Sequence, residues 1–163
     1  MHRIWAKLLK GVLLAGILWL PPLWASGLPP AADLEQDGLR VQQERMPILI
    51  FFAAEDCPYC ELVNGLYLDP MYHSGRYEGK VLFRVVQIDE ITDLKDFDGR
   101  RTDHESFAER EGVDFTPVIR LYDHRGRELA PELFGYSAPD FYLGYLEQAI
   151  ETARARLRGV ARR

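Results

Sequence analysis

The sequence is poor in sulfur and in histidine. Its 163 residues include two cysteines, three methionines and four histidines. A chain of this length can bury a full hydrophobic core without covalent staples, so two cysteines are not needed for stability. A closed zinc site takes four ligands, and beyond residue 2 the histidines are His73, His104 and His124, which have no paired-ligand spacing. The composition therefore disfavours both a disulfide-stapled scaffold and a structural zinc site.

Positive charge is also scarce relative to negative charge. Twenty basic residues face 25 acidic ones, and the net charge is −5. The end of the chain, "RARLRGVARR", holds five arginines. We interpret it as a solvated helix end, whose cations complement the helix dipole, followed by a basic tail over 159–163. The charge balance argues against nucleic acid as a partner.

Charged residues are missing from one long segment near the start of the chain. The first ten residues carry three basic side chains and no acid, and an apolar run and small residues follow. This order predicts a secretory signal peptide over 1–27, with Ala25 and Gly27 preceding the cleavage site. The alternative is an uncleaved N-terminal anchor, which the Pro21-Pro22 pair would interrupt. Cleavage would change the net charge from −5 to −8, because 1–27 contains three basic residues and no acidic one.

The rest of the chain predicts alternating helices and strands, without repeats. We expect a linker and N-terminal helix over 28–46 and a domain over 47–158. The expected strands are 47–54, 80–89, 116–123 and a short returning strand within 124–130; the expected helices are 57–68, 102–113 and 137–157. Strands joined through a helix lie parallel by a right-handed crossover, whereas the last two form a hairpin. This order predicts an α/β domain with a mixed sheet and helices on both faces.

Both cysteines lie in one stretch, "FFAAEDCPYC", at residues 51–60. Cys57 stands where a buried strand ends and a helix begins, and the N–H groups and dipole at a helix start favour an anion such as a thiolate. A Cys-X-X-Cys motif in this position can lower the pKa of a thiol from about 8.5 to between about 3.5 and 7.5. We expect Cys57 to be the exposed attacking thiol and Cys60, one turn deeper, to be the resolving thiol. A fixed staple and half of a metal site are the alternatives, although a bridge across three residues stabilises little.

The sequence resembles the thioredoxin-like superfamily, and more closely its exported bacterial branch. The matching pieces are "FFAAEDCPYC", "QID" at 87–89, "VDFTPVIRLYDHRGREL" and "FGY" at 134–136, within residues 33–152. The resemblance implies a thioredoxin fold, with a central mixed four-stranded sheet flanked by helices and an N-terminal helix. It also implies that Pro117 is a cis-proline beside the disulfide and that Thr116 and Pro117 bind an extended substrate strand.

Three positions depart from the family pattern. Asp56 stands where cytoplasmic thioredoxins usually have a tryptophan before the first cysteine. Phe51 and Val85 take the positions of a buried acid and of its lysine partner. The usual buried proton relay to Cys60 is therefore missing from this sequence.

Four residues next to the cysteines are candidates for supporting roles. Glu55 or Glu61 could accept the proton of the resolving thiol, although we favour the interpretation of each as a solvated helix-end acid. Nearby acids would also raise the pKa of the thiol and oppose the helix dipole. Pro58 and Tyr59 stand between the cysteines and are the same dipeptide that glutaredoxins have there. No glutathione-binding pattern accompanies it in this sequence.

The resemblance implies a periplasmic thiol–disulfide oxidoreductase that reduces disulfide-containing substrate proteins. The chain resembles periplasmic thioredoxins of sulfur-oxidation (Sox-type) systems and of cytochrome c maturation, which implies re-reduction by a membrane electron donor of the DsbD/CcdA type. We expect no cofactor apart from the redox-active Cys57–Cys60 disulfide, and no metal. Three alternatives remain: a disulfide oxidase or isomerase, a copper-binding module using both thiols with His73 or a methionine, and a non-catalytic binding module.

Overall fold

A computed structural model describes residues 27–160. The predicted leader over 1–27 lies outside the described residues except for Gly27. The helices are α1 (Leu34–Glu44), α2 (Pro58–Val63), α3 (Asp69–His73), α4 (His104–Arg110) and α5 (Pro139–Val160), with a π-helical turn, Asn64–Leu68, between α2 and α3. The strands are β1 (Ile48–Ala53), β2 (Leu82–Gln87), β3 (Asp93–Lys95), β4 (Arg101–Asp103), β5 (Val118–Tyr122) and β6 (Leu133–Phe134). Within the described part, no helix is both long enough and apolar enough to cross a bilayer.

Four strands form the central sheet, in the order β2–β1–β5–β6. β1 and β2 are parallel, whereas β5 pairs antiparallel with both β1 and β6. β3 and β4 form a separate two-stranded hairpin, and neither is among the expected strands. The predicted mixed sheet with a parallel first pair is confirmed.

The central strand β1 is buried along its whole length. Its odd-numbered residues, such as Leu49 and Phe51, belong to a cluster with buried residues of α2, α3 and α5. Its even-numbered residues, such as Ile50 and Phe52, belong to a second cluster with α1 and α4. Successive side chains of a strand point to opposite faces, so helices on both faces bury the whole run.

The segment expected to be a linker is packed against the sheet. The Ala31 N–H donates to the Val85 carbonyl at 2.9 Å, which extends the sheet beyond β2. His104, 1% exposed, accepts the Gln87 N–H at Nδ1, 3.1 Å away, and its Nε2 lies 2.7 Å from the Ala31 carbonyl oxygen. Because Nδ1 accepts, Nε2 carries the proton and donates. The imidazole therefore ties residues 28–33 to β2.

Helix α1 begins at the Asp33 cap, whose side chain accepts the Gln36 N–H. Leu34 is buried, whereas Leu39 is 59% exposed. Gly38 lies against the turn after β5, where a Cβ would stand 2.6 Å from the His124 carbonyl oxygen. Glycine at this position therefore lets α1 approach the turn closely.

The turn after β5 is closed by Asp123, which is 2% exposed. Its Oδ1 accepts two backbone N–H groups of the turn, and its Oδ2 pairs with the Arg127 guanidinium. The returning strand predicted within 124–130 is reduced to an isolated bridge between Tyr122 and Glu128. The edge strand forms later in the chain, at Leu133–Phe134.

Two helices extend beyond their predicted ends. The helix predicted over 57–68 continues through the π-helical turn into α3, because Pro70 lies in a first turn that needs no proline N–H. α5 reaches Val160, so the first two residues of the predicted 159–163 tail are helical.

Candidate functional site

Cys57 and Cys60 form a disulfide at the start of α2, with their Cα atoms 5.2 Å apart. Cys57 is the N-cap, and its Sγ accepts the Cys60 N–H at 3.1 Å. Pro58 occupies the first helical position, where no N–H is required. Cys57 is half-buried, whereas Cys60 is 4% exposed and belongs to the core cluster. Cys57 is therefore the more accessible of the two sulfurs.

Thr116 and Pro117 lie directly beside the disulfide. The Thr116 hydroxyl donates to Cys57 Sγ at 3.3 Å, and the Thr116–Pro117 peptide bond is cis, as the resemblance implied. The Pro117 carbonyl accepts the Gly135 N–H at 2.8 Å. Among the hydrogen bonds of residues 27–160, none engages the Thr116 backbone N–H or carbonyl. Both groups are therefore open to an extended partner strand.

The loop that leads into Cys57 is held by a residue that the sequence analysis left without a role. Asp89 Oδ2 accepts the Glu55 N–H at 2.9 Å, which joins the end of β1 to the segment after β2. Parallel strands bring their carboxyl ends to one sheet edge. The available signal was the position of Asp89 as the last residue of the neighbouring strand predicted over 80–89.

Three exposed aromatic side chains lie on segments next to the disulfide. Tyr59 is 57% exposed, and its ring centroid lies 6.2 Å from that of Tyr136. Phe115 and Phe134, 46% and 58% exposed, stack with centroids 4.7 Å apart on the two segments that flank Pro117. These ring contacts could not be predicted from the sequence, because the rings meet only when β6 pairs with β5.

In the sheet, two apolar residues occupy the positions of the family's buried acid and of its lysine partner. Phe51 on β1 and Val85 on β2 are register partners. Both line a cleft beside Cys60, together with the exposed side chains of Glu55 and Glu61. Both predicted glutamates therefore line the same cleft as Cys60.

The histidines lie in other parts of the fold. His73, offered as a copper ligand, is near the end of α3 with its Nε2 3.3 Å from Asp69 Oδ1. Within residues 27–160, the structure brings together no group of three histidine, cysteine, aspartate or glutamate side chains suited to a metal ion.

Known structures share this architecture. Mitochondrial thioredoxin 3 from Saccharomyces cerevisiae superposes with a TM-score of 0.51 at 18% identity, over 76% of this chain and 93% of that one. A thioredoxin-fold protein from Helicobacter pylori has a TM-score of 0.50 at 19% identity, over 71% and 86% of the two chains. Thioredoxin from Plasmodium falciparum has a TM-score of 0.50 at 19% identity, over 76% and 97%. At these low identities, the superpositions show that the chain shares the fold of these proteins.

Sequence comparison gives the family. No curated protein matches the chain. The family model of the thioredoxin-like domain matches residues 34–150, which include α1, the central sheet, the disulfide and the first half of α5. The chain belongs to the thioredoxin-like family, and its Cys57–Cys60 disulfide on this fold makes it a thiol–disulfide oxidoreductase.

Proposed function

We propose that the protein works in the periplasm as a reductant of disulfides in substrate proteins. The observation that carries the proposal is the unequal setting of the two sulfurs. Cys57 Sγ is partly exposed and accepts hydrogen bonds from the Cys60 N–H and the Thr116 hydroxyl. In the reduced protein the same donors stabilise a thiolate, which is the form that attacks disulfides. Cys60 is buried beside it as the resolving thiol.

The exchange proceeds in two displacements. The Cys57 thiolate attacks one substrate sulfur, the substrate disulfide breaks, and the other substrate sulfur leaves as a thiolate that takes up a proton. Cys60 then loses its proton and attacks Cys57 Sγ, which breaks the mixed disulfide and releases the second substrate thiol. Two electrons pass to the substrate, and the Cys57–Cys60 disulfide is formed.

The surface beside the disulfide suits an extended protein segment. The Thr116 backbone offers one donor and one acceptor, so a substrate strand can pair with it by β-augmentation. The stacked Phe115 and Phe134 rings and the exposed Tyr59 ring supply apolar contact on either side. We expect substrates with an apolar residue next to the reactive cysteine.

Charge around Cys57 favours the reducing direction. Glu55, Asp56 and Glu61 are exposed within four residues of it. Negative charge disfavours a thiolate and so destabilises the reduced state relative to the disulfide. The strongly oxidising member of this fold has a high reduction potential because its reduced form is stabilised. The acids near Cys57 have the opposite effect and lower the reduction potential of this protein.

Export and regeneration complete the proposal. The basic start, the apolar run and the small residues that precede residue 28 support export. A periplasmic reductant must itself be reduced, and a membrane electron donor of the DsbD/CcdA type would supply the two electrons through its own dithiol.

A redox titration of the protein against glutathione tests the direction. We expect a potential well below the about −180 mV typical of isomerases, whereas a value near about −120 mV would make the protein an oxidant. Asp56→Asn should raise the potential by roughly 10 to 30 mV, because it removes a charge that disfavours the thiolate. Glu105→Gln, an exposed acid on α4, is the control and should leave the potential unchanged.

A further inference from the structure

A cleft of about 360 Å³ lies beside the resolving thiol of Cys60. Its buried residues include Leu28 and Phe51, which are 8% and 3% exposed. Its exposed residues include the carboxylates of Glu55, Glu61 and Glu90, where the cleft meets solvent. The cleft therefore runs from a buried sulfur to an acidic rim.

Two amide side chains also line this cleft, and each carries an unsatisfied buried oxygen. Asn64 Oδ1 and Gln87 Oε1 are inaccessible and have no hydrogen-bond partner within the described part of the protein. A buried carbonyl oxygen without a partner is costly, and native proteins satisfy such groups with ordered water. The cleft has room for water, since a water molecule takes up about 30 Å³. Water there reaches the two oxygens when each amide turns about its terminal side-chain torsion, which is soft in asparagine and glutamine.

Both amide side chains project from the backbone on the side of the sheet that holds Cys60. Asn64 follows Cys60 by four residues and donates its N–H to the Cys60 carbonyl, so the two side chains share a helix face. The helix widens into its π-helical turn at Asn64, a feature that is frequent at functional sites. Gln87, two residues after Val85 on β2, lies on the same strand face as Val85 and beside Ala53.

We propose that Asn64 and Gln87 position water in this cleft to carry the proton of the Cys60 thiol to the glutamates at the rim. The proposal rests on the proposed exchange reaction and concerns its second displacement. The Cys60 S–H proton passes to the cleft water as that water gives a proton to a rim carboxylate. The Cys60 thiolate then attacks Cys57 Sγ, the bond from Cys57 to the substrate breaks, and the leaving substrate thiolate is protonated from solvent.

The two amides are positioning residues in this step. They stay neutral, and they replace the charged relay that Phe51 and Val85 exclude from the sheet. A neutral relay leaves Cys60 without a buried base. We therefore expect the second displacement to depend on the amides at neutral pH and to become independent of them at alkaline pH, where hydroxide removes the proton directly.

The reaction of the reduced full-length protein with Ellman's reagent separates the two displacements. Attack by Cys57 releases a first thionitrobenzoate, and attack by Cys60 on the resulting mixed disulfide releases a second. In Asn64→Leu and Gln87→Leu we expect the second release to slow by about tenfold at neutral pH. The first release should keep its rate, and the deficit in the second should disappear as the pH is raised.

Controls separate this proposal from a loss of folding and from the proposed function. Gln43→Leu removes an exposed amide from α1, on the opposite face of the sheet, and should leave both releases unchanged. Thermal unfolding checks each variant, and Gln87→Met, which keeps the side-chain length, replaces Gln87→Leu if that variant is unfolded. If the folded amide variants release the second thionitrobenzoate with the same rate and pH dependence as the parent protein, the relay is wrong, but the exchange reaction stands. Absence of the first release from the parent protein would instead contradict the exchange reaction itself.

Discussion

The Thr116 hydroxyl donates a hydrogen bond to Cys57 Sγ over 3.3 Å, although the two residues are 59 positions apart in the sequence. The contact exists because β5 lies next to β1, so the segment entering β5 meets the segment leaving β1. It adds a side-chain donor to the backbone N–H of Cys60 that already points at the same sulfur. Cys57 is therefore the sulfur in this pair that the fold equips to carry negative charge.

Removal of the Thr116 hydroxyl should make Cys57 less reactive. We expect Thr116→Val, which keeps the side-chain shape, to slow alkylation of reduced Cys57 at neutral pH by about tenfold, because a hydrogen bond to a charged group contributes about 1.5 kcal/mol. Iodoacetamide kinetics across a pH series measure the change. Thr152→Val, which removes an exposed hydroxyl from α5, is the control. Equal rates in the two variants would show that the hydroxyl does not stabilise the thiolate.

Substitution of each cysteine by serine should distinguish attacking from resolving thiol. Cys60→Ser should accumulate a mixed disulfide with a substrate protein, because Cys57 can attack but nothing displaces the product. Cys57→Ser should accumulate none, because Cys60 is 4% exposed. Non-reducing electrophoresis with mass spectrometry detects the adducts. Equal trapping by both variants would reverse or remove the assignment.

A methyl group at Gly38 should destabilise the protein. Gly38→Ala would place Cβ 2.6 Å from the His124 carbonyl oxygen, so α1 or the turn has to move. We expect a loss of about 1 to 3 kcal/mol in the free energy of unfolding. Gly144→Ala in α5 is the matched control, since nothing lies within 4 Å of its Cβ, and it should stabilise the helix by up to about 1 kcal/mol. Urea unfolding measures both, and similar effects at the two sites would contradict the close approach.

The Asp123 carboxylate should contribute to stability in a pH-dependent way. Burial by itself raises the pKa of Asp123, but hydrogen bonds from the Arg127 and Arg125 N–H groups and from the Arg127 side chain outweigh it and hold that pKa below its usual value. The contribution is then complete above the unfolded-state pKa of about 3.9 and is lost as the pH falls through the lower folded-state pKa.

We expect Asp123→Asn to lower the free energy of unfolding by about 2 kcal/mol at pH 7, since it removes charged hydrogen bonds from a buried site. The difference from the parent should shrink as the pH falls below about 4. Urea titrations at several pH values follow it, with the exposed Asp114→Asn as control. A difference that stays constant down to pH 2 would show that the charge of Asp123 plays no part.

The sequence allowed the core of the fold to be predicted, because its signals are local. The apolar run over 47–54 predicted a strand buried on both faces, and β1 is buried throughout. The two cysteines at the start of the next helix predicted one exposed and one buried sulfur. The edge of the sheet was predicted less well, since β6 has two residues and its position depends on the turn that Asp123 closes.

Local pattern also misjudged the segment over 28–33. Its prolines and alanines are typical of a linker, yet Ala31 is 1% exposed and bonded to β2. The buried imidazole of His104 holds it there from 73 residues away. Local composition does not reveal a contact with a residue as distant in the chain as His104, so the packing of this segment could not be predicted.

The sequence by itself determined the order of strand, Cys57-Pro58-Tyr59-Cys60 and helix, because burial, proline placement and helix start depend on neighbouring residues. Tertiary structure decided which groups lie next to the sulfurs: the Thr116 hydroxyl beside Cys57 and the Gln87 amide in the cleft beside Cys60. Those groups come from two other segments, which reach the disulfide because β5 and β2 both pair with β1 in a fixed register. Register follows from the packing of the whole sheet, which no short stretch of the chain encodes.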